Sequence, residues 1–213
     1  MKSAVIFDLD GVIVSTDSYH YKAWKAMADK ENIYFDEEIN NRLRGVSRME
    51  SLAIILERAS KEYTDTEKEA MATAKNDIYS ASLSQLTPSD ILPGVMNTLT
   101  TLREMGIKLA IGSSSKNTPI ILKQIGLGDY FDAIADGNGI KNSKPDPEVF
   151  LLAAKLLGVA PEDCAVVEDA FAGIDAAIAG NMRAIGVGDA SRYEKSDIAG
   201  KTLADISPSA IVE

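Results

Sequence analysis

Four short apolar runs punctuate the chain: Ala4-Val5-Ile6-Phe7, Leu109-Ala110-Ile111, Ala165-Val166-Val167 and Ala184-Ile185-Gly186-Val187. They are continuous rather than alternating, which is the pattern of strands buried on both faces of a parallel sheet. Helical patterns separate them. One runs from about 94 to 104 and stops near Gly106, a second from near Asn117 to near Gly126. A third sets Asp146 as N-cap with Pro147 at the first helical position, and a fourth covers about 170 to 179 before Gly180. Strands alternating with helices predict βαβ units, a parallel sheet and right-handed crossovers.

The stretch from about Ser15 to Leu83 breaks this alternation and carries no strand pattern. Residues 18–30 read as a helix with Tyr21, Trp24, Met27 and Ala28 on its apolar side. Ser47-Arg48-Met49-Glu50 is a capping-box pattern ahead of Leu52, Ala53, Leu56 and Ala59. Thr66-Glu67-Lys68-Glu69 is a second, ahead of Ala70, Ala74, Ile78 and Tyr79. The expected fold is therefore α/β: a Rossmann-like parallel-sheet core over residues 1–14 and 84–213, with a helical domain over 15–83 inserted after the first strand.

Composition narrows the function classes. A formal net charge of −10 argues against nucleic acid or membrane surface as partner, since both are polyanions. It leaves room for a small anionic substrate, which a few focused cations can hold inside an acidic protein. The single cysteine, Cys164, sits in an apolar run and reads as a buried thiol, consistent with a reducing cytoplasm. Neither a signal-peptide pattern nor an apolar run of membrane-spanning length is present, and nothing in the pattern demands an oligomer, so a cytoplasmic monomer is expected.

Ligands of open parallel sheets bind beyond the carboxyl ends of the strands. The first strand runs into Asp8-Leu9-Asp10-Gly11, whose carboxylates, two residues apart, point to one side in extended chain. Such a pair suits a nucleophile and a metal, though solvated acids at a strand end have the same spacing. The second strand leads into Gly112-Ser113-Ser114-Ser115-Lys116-Asn117, where hydroxyls, a lysine and a helix N-terminus can cradle phosphate; an ordinary N-cap is the alternative. Lys144 stands before Pro145, rigidly presented ahead of a helix, or is simply a surface lysine. Glu168-Asp169 closes a third strand with acids suited to a hard cation or to solvent. The joint placement of all four at strand ends favours one site. Crowded carboxylates there need compensating charge, which one Mg²⁺ and Lys144 would supply.

These segments follow the order and spacing of the four motifs of the haloacid dehalogenase superfamily of phosphotransferases, which essentially the whole chain resembles; the helical insert resembles its type 1 cap. Within it the likeness is to the β-phosphoglucomutase family, carried by Tyr19-His20, Ala23-Trp24-Lys25-Ala26, Gly45-Val46-Ser47-Arg48, Lys75-Asn76-Asp77, Ser115-Lys116-Asn117 and residues 130–136. The resemblance implies interconversion of β-D-glucose 1-phosphate and glucose 6-phosphate through β-glucose 1,6-bisphosphate. Asp8 would be the nucleophile and Asp10 the acid–base group, with Ser113 and Lys144 balancing charge. Mg²⁺ would sit on Asp8, the Asp10 backbone carbonyl and Asp169, with Glu168 close by. Arg48, Ser115, Lys116 and Asn117 would hold the non-reacting phosphate, with Gly45 and Ser114 in the same loops. Thr16, His20 and Lys75 would couple cap closure to Asp10, and Trp24 would face the sugar as well as the cap core. Arg44 stands where the family usually has lysine, a cation with different reach. A sugar-phosphate or phosphoglycolate phosphatase is the rival reading, and a non-catalytic phosphosugar binder a more distant one.

Overall fold

The four apolar runs pair as parallel strands in a computed structural model that describes residues 1–43 and 46–213. Their spans are β1 (Ala4–Phe7), β2 (Lys108–Gly112), β4 (Cys164–Glu168) and β5 (Arg183–Gly186). Two edge strands that the sequence pattern did not indicate complete the sheet, β3 (Ala133–Ala135) and β6 (Ile198–Ala199), giving the order β3-β2-β1-β4-β5-β6. Both are too short to show a period. Side chains help to moor them: the Asp132 carboxylate accepts from Leu109 N–H, and that of Asp197 from Ala184 N–H, each at 2.8 Å.

Alternation within the strands divides the core into two layers. Val5, Phe7, Leu109, Ile111 and Val167 face one layer, with α5 (Val95–Glu104), α6 (Thr118–Gln124) and α9 (Pro208–Val212). Ala4, Ile6, Ala110, Val166 and Ala184 face the other, with α7 (Glu148–Leu157) and α8 (Phe171–Ala179). All four β1 side chains are fully buried. Each large one contributes about 1.5–3 kcal/mol relative to exposure. Helix α7 starts one residue later than expected: Pro147 stands at the N-cap, while the Asp146 carboxylate still caps by accepting from Glu148 N–H at 3.0 Å.

Between β1 and β2 lie α1 (Asp17–Lys30), α2 (Glu37–Asn41), α3 (Arg48–Leu56) and α4 (Asp65–Ser82), with a hydrophobic cluster of their own built on Trp24, Met27, Phe35, Leu52, Ile55 and Met71. The Ser47–Glu50 capping box is present. The second box differs from expectation: it is Thr64–Glu67, not Thr66–Glu69, so α4 begins earlier. Its buried face is Met71, Ala72, Lys75 and Tyr79, whereas Ala70 and Ile78, like Ala53 on α3, are exposed. A lysine on the buried stripe disguises that face in the sequence. Among the described residues no helix is long and apolar enough to cross a membrane.

Candidate active site

In this strand order the chain runs outward from β1 in both directions, which opens a crevice at the carboxyl ends of β1 and β4. Phe7 pairs with Val167, so Asp8 emerges beside Glu168. Lys144 Nζ donates to Asp8 Oδ1 and to Glu168 Oε1, both at 2.6 Å, and Glu168 Oε2 accepts from Ala170 N–H at 2.7 Å. All three side chains are buried. Burial by itself would lower the lysine pKa, but Asp8 and Glu168 outweigh it and hold Lys144 charged. Glu168 thus fixes the ammonium against Asp8. Two glycines make room: a Cβ at Gly173 would run into the Glu168 carboxylate, and one at Gly11 into that of Asp169. Gly11 also has φ +83°, which other residues rarely adopt.

One ammonium does not balance this cluster. Burial raises the Asp8 and Asp169 pKa values, with neighbouring carboxylates adding to the effect. Burial also lifts Asp10 to about 6, despite the hydrogen bond it accepts from Thr16.

On the β2 side, Ser113 N–H donates to Ala135 O at 3.0 Å, and the Ser113 and Ser115 hydroxyls accept from the backbone N–H groups of Ser115 and Asn117, each at 3.2 Å. The loop is a run of small turns that fixes Ser113 and Asn117 in buried positions. Ser114 Oγ is buried without a hydrogen-bond partner among the described residues, and Lys116 is exposed.

The helical side contributes two networks. In the first, Thr16 lies between Asp10 and Tyr79, whose hydroxyl donates to Thr16 Oγ1 at 3.1 Å. Lys75 Nζ is 2.8 Å from His20 Nδ1 and lies over the Trp24 and Tyr79 rings, 4.7 Å from each centroid. Burial lowers the His20 pKa well below normal, which favours the neutral imidazole, and the tautomer sets which partner donates in the pair with Lys75. Burial, then Arg48, brings Lys75 down to about 7. Trp24 is itself buried among the cap helices. In the second network Arg48 Nη2 donates to Asn76 Oδ1 at 2.7 Å, and Asn117 Nδ2 donates to the same oxygen at 3.1 Å. Arg48 on the helical side and Asn117 on the sheet side therefore meet at one atom. Arg44 and Gly45 lie outside the described residues.

A family model described as haloacid dehalogenase-like hydrolase matches residues 2–181. The chain belongs to that family. It is 44% identical over 206 residues to β-phosphoglucomutase of Bacillus subtilis, covering 96% of this chain and 91% of that one. It is 32% identical to a phosphorylated carbohydrates phosphatase of Thermotoga maritima, with 98% and 96% covered. The crystal structure of a Clostridium difficile β-phosphoglucomutase superposes with a TM-score of 0.93 at 42% identity, covering 99% of this chain and 96% of that one.

For a hydrolase of this family the donor set invites a test for a metal. Oxygens of Asp8, Glu168 and Asp169 lie within 4.8 Å of one another. They are hard carboxylate donors with one lysine to balance them, so the residues fit a small divalent cation. Sequence reading did not select Asn76, Tyr79 or Ser80. Their signal was the spacing 76, 79, 80 on one helix face, but an asparagine and a serine on a helix look like solvated positions until the fold sets them against the sheet.

Proposed function

We propose that this hydrolase-family member is an Mg²⁺-dependent phosphotransferase that interconverts β-D-glucose 1-phosphate and glucose 6-phosphate, using Asp8 as nucleophile. The observation that carries this reading is the presence of two separate polar stations, one at the carboxyl ends of β1 and β4 and one where the helical side meets the loop after β2. Asp8, Lys144 and Ser113 form one; Arg48 and Asn117, drawn together at Asn76, form the other. A second anion station suits a substrate or intermediate with two phosphates, which a mutase must hold in turn by either end. A phosphatase needs only the first.

In this scheme an Asp8 oxygen forms a bond to phosphorus while the phosphorus–oxygen bond to the sugar breaks, and Asp10 delivers its proton to the leaving oxygen. A pKa near 6 lets Asp10 carry that proton and give it up close to neutrality. In the second half, Asp10 accepts the proton of the incoming sugar hydroxyl, which takes the phosphoryl group back from Asp8. Thr16 holds the Asp10 carboxylate, and Tyr79 holds Thr16. Lys144, fixed by Glu168, sets positive charge beside the oxygens of the transferring group, with the Ser113 hydroxyl alongside. A divalent cation held by Asp8, Asp169 and the Asp10 carbonyl, with Glu168 beside it, would add charge stabilisation to the same oxygens. Arg48, Asn117, Ser115 and Lys116 hold the idle phosphate, and β-glucose 1,6-bisphosphate is the intermediate.

The test is a coupled assay with α- and β-glucose 1-phosphate in parallel, Mg²⁺ and a trace of the bisphosphate. Glucose 6-phosphate from the β anomer alone is expected. Inorganic phosphate without glucose 6-phosphate would replace the mutase by a sugar-phosphate phosphatase.

A further inference from the structure

The bridge at Asn76 goes further than a second phosphate station. Residues 76 and 80 are four apart on α4 and share a face. Asn76 Oδ1 accepts from Asn117 Nδ2, and Ser80 Oγ donates to Asn117 Oδ1 at 3.1 Å. One turn of α4 therefore holds both ends of the Asn117 carboxamide and sets which way it faces. The oxygen that holds Asn117 also holds Arg48. A guanidinium carries five N–H donors in a rigid fork, so one bond to Asn76 orients the group without exhausting it. Arg48 opens α3 behind its Ser47 cap in the helical domain, whereas Asn117 stands at the N-cap position of α6 in the sheet domain, so the two residues come from different domains. Asn76 is the point where the two become one site.

We propose that Asn76, assisted by Ser80, is a positioning residue: it assembles the idle-phosphate site from a cap half and a core half, and so biases the phosphoryl group on Asp8 towards a sugar hydroxyl rather than water. The proposal rests on the reading of Arg48 and Asn117 as phosphate ligands. It also accounts for the residue type. Aspartate at 76 would pair more strongly with Arg48 but would set a negative charge beside the phosphate, whereas alanine would release both donors. A neutral carboxamide oxygen holds the two donors without repelling the anion.

Three variants of the full chain test it: Asn76→Ala, Asn76→Asp and Ser80→Ala. Hydrogen exchange on the free proteins reads the bridge itself. Steady-state kinetics with β-glucose 1-phosphate, and the share of turnovers ending as inorganic phosphate, read its use. Asn76→Ala is expected to expose amides of 47–56 and 113–118 to faster exchange. It should raise KM about tenfold while changing kcat less than about threefold, and increase the phosphate share. Ser80→Ala should raise KM by about threefold. Asn76→Asp should keep the exchange protection through its pairing with Arg48 and yet raise KM more than Asn76→Ala does. A purely structural contact predicts the reverse, with Asn76→Asp restoring KM, and that result would overturn the proposal. Unchanged KM and partition in Asn76→Ala would overturn it too. If the wild-type protein makes no glucose 6-phosphate, the mutase reading fails by itself. The exchange comparison still judges the bridge: unchanged exchange in Asn76→Ala rejects it.

Discussion

On the sheet side of the cleft, each polar group of the site stands at or just past the end of a strand, or in the loop ahead of α7; on the helical side, the corresponding groups stand within helices or at their starts. Asp8, Ser113, Glu168 and Lys144 are nearly inaccessible to water, and an ion-pair network links the three charged ones. Arg48, Asn76 and Ser80 are half-buried, and among the described residues Arg48 and Ser80 are linked to the site through one side-chain hydrogen bond each and Asn76 through two. The two regions therefore differ in what a change should cost. Removing one partner of a buried, hydrogen-bonded charge cluster strands the others in a poor dielectric. Removing a half-buried hydrogen bond lets water fill in, and the loss falls on substrate geometry instead. On the proposed function, the sheet side would carry the chemistry and the helical side would decide which acceptor reaches it.

Three experiments would break or sharpen this contrast. The largest effect is expected on the sheet side. Asp8→Asn should abolish covalent phosphorylation and lower turnover by roughly 10⁴-fold or more, because an amide is a poor nucleophile. Mass spectrometry of the intact protein and the coupled assay would detect it, and ordinary turnover in this variant would remove Asp8 from its role. On the helical side, Arg48→Ala should reduce mutase kcat/KM by about 10–100-fold while sparing slow hydrolysis of the aspartyl phosphate. Equal losses in both reactions would erase the division of labour.

The smallest effect concerns stability. Burial and neighbouring carboxylates raise Asp169 from 3.8 to about 9. A carboxyl with a raised folded pKa binds its proton more tightly when folded, so its contribution is neutral below about 4. It becomes progressively destabilising as pH rises towards about 9. Metal-free Asp169→Asn should therefore be more stable than the wild type at pH 7, by about 1–3 kcal/mol, with the gap closing towards pH 4. Thermal melts in chelator across that range would show it. In saturating Mg²⁺ the order should narrow or reverse, since the wild type alone keeps its ligand set. A variant less stable than the wild type in chelator at pH 7 would mean that the carboxylate cluster is already balanced without a cation.

The two regions also differed in how far they could be read in advance. A strand end is recognisable from the apolar run before it, so Asp8, Ser113 and Glu168-Asp169 could be placed at the mouth of the sheet before any coordinates. The helical side offers no such landmark. Two overlapping threonine–glutamate pairs, Thr64–Glu67 and Thr66–Glu69, fit a capping box equally well in sequence. The structure uses the first, and the buried face of α4 includes Lys75, which the spacing of apolar residues alone assigns to solvent while placing Ile78 inside. Arg48 is indicated by the family resemblance of Gly45-Val46-Ser47-Arg48, but nothing assigns Asn76 or Ser80 to the site, because a short polar side chain on a helix carries no mark of what it will meet.

What the sequence determined by itself is local. Continuous apolar runs specify buried parallel strands, a capping box marks a helix start at Ser47, and the acids and the lysine follow the strands in an order that one crevice can gather. What the tertiary structure decided is pairing. It set Glu168 behind Lys144, added two edge strands too short to have a period, and brought Arg48 and Asn117 to a single oxygen of Asn76. Burial and periodicity act along the chain and can be read from it. A hydrogen bond between residues 48, 76 and 117 depends on how two packed domains face each other, and no local pattern encodes that.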